Sequence, residues 1–383
     1  MNYALQLLLV AYLNPKDFGD LAFLMSLCLI VVAPCSAASF SIARLVSNKN
    51  NFRKYFEINC LFSNYLYLSF GSQLLFVALF FAVSRFGIFN SEFPFDTLSL
   101  VFFFSFCTLL TIQTKVFAIL WGENRIPILS LCGLSIALLK ILFIWIWHED
   151  IYQVMMAILL AHALIVILTL FLNKYLNITK LKSFKLKRII QFLRDEGRFF
   201  GVVIFSALII QSDVIIAKTV FSEEIAGQVV TALVLSKAVF FITSSLGMVA
   251  YPILSRISLS QRGFLILILG TIAIGTICAV MFYAFSEFVL TTLYGNISSL
   301  TVEVLKIYGF ALIPIGIFSI IEHIGFAKGE THILVFQGLL VLFQLAASIW
   351  FVSQPSDFSV AFLVVNFSVA FMLVGYVWYR RFT

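Results

Sequence analysis

The chain has 383 residues, of which 62% are hydrophobic and 11% charged, with a formal net charge of +7. A soluble globular domain is about half apolar and about a quarter charged, so a mean hydropathy of +1.07 excludes an ordinary soluble enzyme. A pI near 9.1 does not indicate a nucleic-acid partner, because the excess charge is spread over a mostly apolar chain instead of gathered on one soluble face.

The sequence therefore reads as an all-α polytopic membrane protein. Long uninterrupted apolar runs, such as 100–117 and 264–284, fit helical spans and not the alternating strands of a β-barrel. The first apolar segment, 1–13, ends at Asn14-Pro15-Lys16-Asp17. At 1.5 Å per residue it reaches about 20 Å, short of a hydrocarbon core of about 30 Å. It reads as the second half of a first span whose start is missing. It has no basic leader region or small-residue cleavage site. Eleven full spans are expected after it, at 18–45, 57–83, 96–120, 127–147, 151–172, 199–220, 227–253, 263–288, 302–325, 333–352 and 359–378.

Alternate loops are basic. One side carries 18 of the 25 Lys and Arg residues, among them Arg44, Arg125, Lys180, Arg256, Lys328 and Arg381. The other side carries Lys16 and Arg85, together with acids such as Asp17, Asp20, Glu223 and Glu224. The positive-inside rule places the basic side, and with it the C-terminus, in the cytoplasm. The longest polar connection, 173–198, contains the run Lys180 to Arg188 and divides the chain into an N-terminal bundle, 1–172, and a C-terminal bundle, 199–383. A repeat supports that seam. Asn14-Pro15-Lys16-Asp17-Phe18-Gly19 and Ser222-Glu223-Glu224-Ile225-Ala226-Gly227 are both short acidic turns with a glycine opening a long apolar helix. Six spans separate them, which predicts two six-helix bundles related by a pseudo-two-fold axis along the membrane normal.

No loop is long enough for an extramembrane catalytic domain. HExxH, GxSxG, P-loop and dinucleotide fingerprints do not occur, so no enzyme activity, cofactor or metal is expected. The six cysteines lie in or beside apolar spans without CxxC spacing and read as buried thiols. Asn177-Ile178-Thr179 and Asn296-Ile297-Ser298 match the glycosylation triplet by accident of composition.

The informative residues are ionisable groups inside spans, which are costly in lipid and should face protein or water. Lys140 lies deep in its span among Leu138, Leu139, Ile141 and Leu142. Lys237 lies ten residues in from Gly227. For both, two readings stand: a cavity-lining cation or a structural ion pair. Asp213 is the only aspartate deep within a span and follows Gln211 and Ser212. It is a candidate for ion coupling or for pairing with a lysine on another helix. Lys115 and Lys218 lie near span ends, where they can snorkel. Glu303 and Lys306 have the spacing of a helix pair. Glu322 adjoins His323 near an inner span end and is a candidate for coupling or a gate. With the acids of the outer turns and span edges left aside, Lys115, Lys140, Lys218, Lys237 and Lys306 against Asp213, Glu303 and Glu322 leave an excess of two positive charges. A cavity with that surplus attracts anions, and Lys115, Lys140, Lys237 and Lys306 are its candidate substrate-binding cations.

The run Tyr12 to Ala22 resembles the first outer turn of Wzx-type polysaccharide flippases. These belong to the multidrug/oligosaccharidyl-lipid/polysaccharide exporter superfamily. Ser212 to Lys218, Gly227 and Tyr251 to Arg256 are similar to that family's seventh and eighth spans. The resemblance implies a V-shaped pair of bundles in a bacterial inner membrane. It implies movement of undecaprenyl-diphosphate-linked oligosaccharide, for O-antigen or capsule, between leaflets by alternating access. Membrane lipids and polysaccharide-assembly proteins are the implied partners. Lys237 falls where related lipid II flippases place a basic residue. A cation-coupled small-molecule exporter on the same fold is the alternative. A membrane glycan polymerase fits less well, because its catalytic side chains would need a larger outer loop.

Overall fold

A computed structural model describes residues 9, 11–47, 70–71, 73–75, 78, 96–123, 125–172, 186–254, 260–295, 298–328, 330–350 and 354–382. Among the described residues every regular element is a helix: α1 (Pro15–Ser47), α2 (Thr97–Gly122), α3 (Ile126–Ile146), α4 (Ile151–Leu172), α5 (Leu186–Val220), α6 (Glu223–Leu254), α7 (Gln261–Tyr294), α8 (Ser299–Ala311), α9 (Ile313–Lys328), α10 (Ile333–Trp350) and α11 (Pro355–Phe382). Among the described residues, ten stretches are long and apolar enough to cross a membrane, with α8 and α9 counted as one. Most of the expected span 57–83 lies outside the described residues, as do 173–185 of the expected linker.

Backbone groups in lipid must be satisfied within the chain, which is why long apolar runs settle as helices. Their ends follow ordinary capping chemistry. Asp96 accepts the Ser99 N–H at 2.9 Å to open α2, and Ser260 accepts the Gly263 N–H at 3.1 Å to open α7. Gly295, at φ 73°, closes α7, a backbone position that favours glycine. The outward faces carry large apolar side chains, such as Phe171 at 83% and Phe371 at 82% exposure, as a lipid-facing surface requires.

Two expected boundaries change. The second half of the expected linker, from Leu186 onward, is helical and continuous with the following span as α5. The expected span 302–325 is two helices, broken at Leu312. Pro314 lacks an N–H and its ring crowds the preceding turn. The Ala311 carbonyl at the break accepts a hydrogen bond from Asn366 Nδ2 on α11 at 2.8 Å.

The chain forms two compact units. One is built mainly from Leu24–Ile204, the other from Gln6–Phe23 and Phe205–Thr383. The first turns of α1 thus belong to the second unit. In the first unit, α2, α3 and α4 pack together, with Cys132, Ile136 and Ile165 in one apolar cluster. In the second unit α6 packs along both α8 and α9, and α8 along α11. Tyr308, Phe358 and Phe362 form an aromatic cluster there, with ring centroids 4.5 to 6.2 Å apart.

Candidate functional site

The second unit holds a buried ion pair. Asp213 sits on α5 and Lys237 on α6, two antecedents of very different sequence context. Lys237 Nζ lies 3.0 Å from Asp213 Oδ1, and their side chains are 5% and 1% exposed. Three further donors and acceptors complete the pair. The Val214 N–H donates to Asp213 Oδ1 at 2.7 Å, the Tyr308 hydroxyl donates to Asp213 Oδ2 at 3.1 Å, and Lys237 donates to Gln211 Oε1 at 3.3 Å. A buried charge without such partners costs several kcal/mol. Of the two readings open for Lys237, the ion pair with Asp213 is the arrangement found.

A chain of uncharged polar groups runs beside this pair. Ser212 donates to Gln344 Oε1 at 3.1 Å, Gln344 donates to Asn366 Oδ1 at 2.9 Å, and Asn366 reaches the Ala311 carbonyl at the helix break. Gln344 and Asn366 are fully buried. Side-chain amides that bond across membrane helices hold them in register. The charge count of the spans did not pick out these two residues; a long amide in an otherwise apolar run is the signal that would have.

The remaining candidates of the second unit lie apart from that network. Glu322 accepts a hydrogen bond from Ser206 Oγ at 2.5 Å, and Ser206 in turn accepts from Gln337 Nε2 at 2.8 Å. His323 Nδ1 lies 2.6 Å from the Ser319 carbonyl. Lys306 sits over the Tyr283 ring, 5.9 Å from its centroid, a cation–π arrangement. The expected Glu303–Lys306 pair does not form: Glu303 points to the exposed side of α8, and Lys306 turns to the aromatic ring.

Near the start of α1 the two acidic turns identified as a repeat pack against each other within the second unit. A Cβ on Gly19 would stand 3.1 Å from the Gly227 Cα, and one on Gly227 would overlap the Pro15 carbonyl. Only glycine allows this approach. Two ion pairs flank it: Lys16–Glu223 at 2.6 Å, largely exposed, and Lys218–Asp20 at 2.5 Å, largely buried. Lys218, expected to snorkel, is therefore paired with Asp20 in the second turn of α1.

The first unit is different in charge. Lys115 on α2 is fully buried, as is Lys140 on α3 at 1% exposure. His162 lies on α4 and is buried. Its Nδ1 lies 2.6 Å from Gln113 Oε1, and its ring packs edge-on against Phe106 at 5.1 Å. Helices α2, α3 and α4 of this unit contain no Asp or Glu. The surplus positive charge of the spans thus resides mainly with Lys115 and Lys140. Among the described residues no group of three or more His, Cys, Asp or Glu side chains could hold a metal ion.

No family model matches the chain, and no curated protein matches it by sequence. Solved structures do match over nearly its whole length. An inward-facing multidrug resistance MATE family transporter of the MOP superfamily aligns with a TM-score of 0.72 at 13% identity, covering 99% of this chain and 93% of that one. The lipid II flippase MurJ, in an inward closed conformation, aligns with a TM-score of 0.73 at 17% identity, covering 98% and 85%. A MOP superfamily transporter from Pyrococcus furiosus, described as having a binding pocket of reverse polarity, aligns at 0.59 and 14% identity, covering 99% and 91%. The chain has the fold of MOP superfamily transporters.

Proposed function

We propose that the chain is a flippase that moves undecaprenyl-diphosphate-linked oligosaccharide across a bacterial inner membrane by alternating access, without covalent change to its substrate. The observation that carries this reading is the charge of the first unit: two buried lysines, Lys115 and Lys140, in spans without a carboxylate. Lysine ammonium groups form strong charge-assisted hydrogen bonds to phosphate oxygens. Lysine suits that role as a compact point charge. The likeness in fold to a lipid II flippase supports the same substrate class. In this reading Lys115 and Lys140 bind the diphosphate, Lys306 lies nearer the outer end, and the C-terminus faces the cytoplasm. Lys237 serves the Asp213 pair, and its contribution to substrate binding is secondary.

The test is a Lys115→Gln/Lys140→Gln double variant at matched protein level in cells that depend on this chain. Surface polysaccharide falls and lipid-linked repeat units accumulate on the inner side. Unchanged surface polysaccharide would contradict the assignment. Asp213 favours a second reading, a cation-coupled exporter of small molecules on the same fold, because a buried carboxylate can exchange a proton or cation for cargo. Extrusion of organic cations that is lost in Asp213→Asn would select that reading.

A further inference from the structure

At the end of the second unit where α9 gives way to α10, the chain closes a tight turn. The Glu330 N–H donates to the Gly325 carbonyl at 2.8 Å, and a Cβ on Gly325 would stand 2.9 Å from the Glu330 carbonyl. This turn and the last three turns of α11 enclose a shallow cleft. Its floor is apolar, built from Ile324, Ile333, Leu373 and Val377, all buried. Its rim carries Glu330, His332, Tyr376, Arg380 and Arg381.

The rim is basic on balance, with two arginines against one glutamate. Arg381 Nη2 lies 2.7 Å from Glu330 Oε2, which fixes one edge of the guanidinium. A guanidinium has five N–H donors, so this single contact leaves others to aim at an oxyanion. Arg380 is exposed and reaches the Tyr376 hydroxyl at 3.5 Å. Tyr376 is itself steadied by its neighbours, with the Phe336 ring 5.2 Å and the His332 ring 6.4 Å away. The same end of α11 presents Tyr379 at 72% exposure, a residue type enriched at the membrane–water boundary. An apolar floor, a basic rim and an aromatic border together match a group that is anionic at one end and oily at the other.

We propose that this cleft binds the phosphate of an anionic phospholipid headgroup, with Arg380 and Arg381 on the phosphate oxygens and the floor against the first carbons of the lipid. The proposal rests on the orientation adopted above, which places this end of α11 at the inner leaflet, where anionic lipids concentrate near basic pockets. It does not depend on the transported substrate.

The full chain is placed in nanodiscs of phosphatidylcholine with or without phosphatidylglycerol, and co-purifying lipid is counted by native mass spectrometry. Phosphatidylglycerol is retained in preference to phosphatidylcholine. Arg380→Gln/Arg381→Gln reduces that preference about thirtyfold, on the order expected for two basic residues at an anionic surface. Arg262→Gln, which removes a charge at the start of α7, leaves it intact. An unchanged unfolding midpoint in phosphatidylcholine alone shows that the double variant is folded; were it not, Arg380→Gln alone supplies the comparison, with a smaller loss. Equal retention of the two lipids, or a preference that survives the double variant, would overturn the proposal. Displacement of phosphatidylglycerol by inorganic phosphate would also overturn it, by assigning the cleft to a soluble anion.

Discussion

Removing one member of the Asp213–Lys237 pair tests the energetic reasoning most sharply. Both side chains are nearly inaccessible, so Lys237→Met leaves a carboxylate buried with only the Tyr308 hydroxyl and the Val214 N–H beside it. Breaking a buried pair in this way costs about 3–5 kcal/mol. Asp213→Asn keeps an acceptor for the Val214 N–H, turns an amide N–H toward the Tyr308 oxygen, and leaves the ammonium without its counter-charge, at a cost of the same order. The double variant Asp213→Asn/Lys237→Met removes both charges, keeps the Val214 hydrogen bond and reverses the one with Tyr308, whose hydroxyl oxygen accepts from the amide, so it lies within about 1–2 kcal/mol of the parent. The coupling between the two sites is then about 4 kcal/mol or more in a double-mutant cycle. The assay is reversible unfolding in mixed micelles, followed by tryptophan fluorescence across a denaturing-detergent titration. Additive losses in the double variant would refute the pair as a structural unit.

Three further outcomes follow from the packing. Gly227→Ala forces a methyl group into the Pro15 carbonyl and lowers stability by about 1–3 kcal/mol, whereas Gly133→Ala, with open space around it, is neutral or gains up to about 1 kcal/mol in the same titration. Asn366→Leu strips the donor from the Ala311 carbonyl and the acceptor from Gln344, costing about 1–3 kcal/mol for each polar group left unmet. Lys218→Gln disturbs a sheltered pair and lowers the unfolding midpoint, while Lys16→Gln, at a pair whose side chains are 58% and 41% exposed, leaves it unchanged; the reverse order would contradict the packing at the start of α1.

Composition and apolar run length foretold the helical, multi-span architecture, because a 20-residue apolar run has few other solutions in lipid. They did not foretell where α5 begins. The charges of 186–198 read as a solvated linker, although charge does not oppose helix formation in residues such as Lys, Arg and Glu. Pro314 marked the break at Leu312, but average hydropathy carried the span across it. The pair of Asp213 and Lys237 was visible as two costly charges, yet their meeting depends on how α5 and α6 pack, which no spacing within either helix records. Asp20 was counted with the acids of an outer turn, whereas it lies inside α1 and pairs with Lys218. Gly19 and Gly227 were linked as a repeat, and their contact is a property of the folded unit.

Charge placement divides the candidate residues into two kinds. Lys237 and Lys218 have carboxylate partners within 3.0 Å, and their first role is to hold the second unit together. Lys115 and Lys140 occupy spans without a carboxylate, and they carry the proposed recognition of a diphosphate. The most direct measurement is translocation of a labelled undecaprenyl-diphosphate-linked oligosaccharide in proteoliposomes containing the purified chain. The account predicts movement between leaflets that falls at least about tenfold in Lys115→Gln/Lys140→Gln, the loss expected when a charge-assisted contact of about 1.5–3 kcal/mol disappears. Proteoliposomes that leave this lipid in place while extruding organic cations would contradict it.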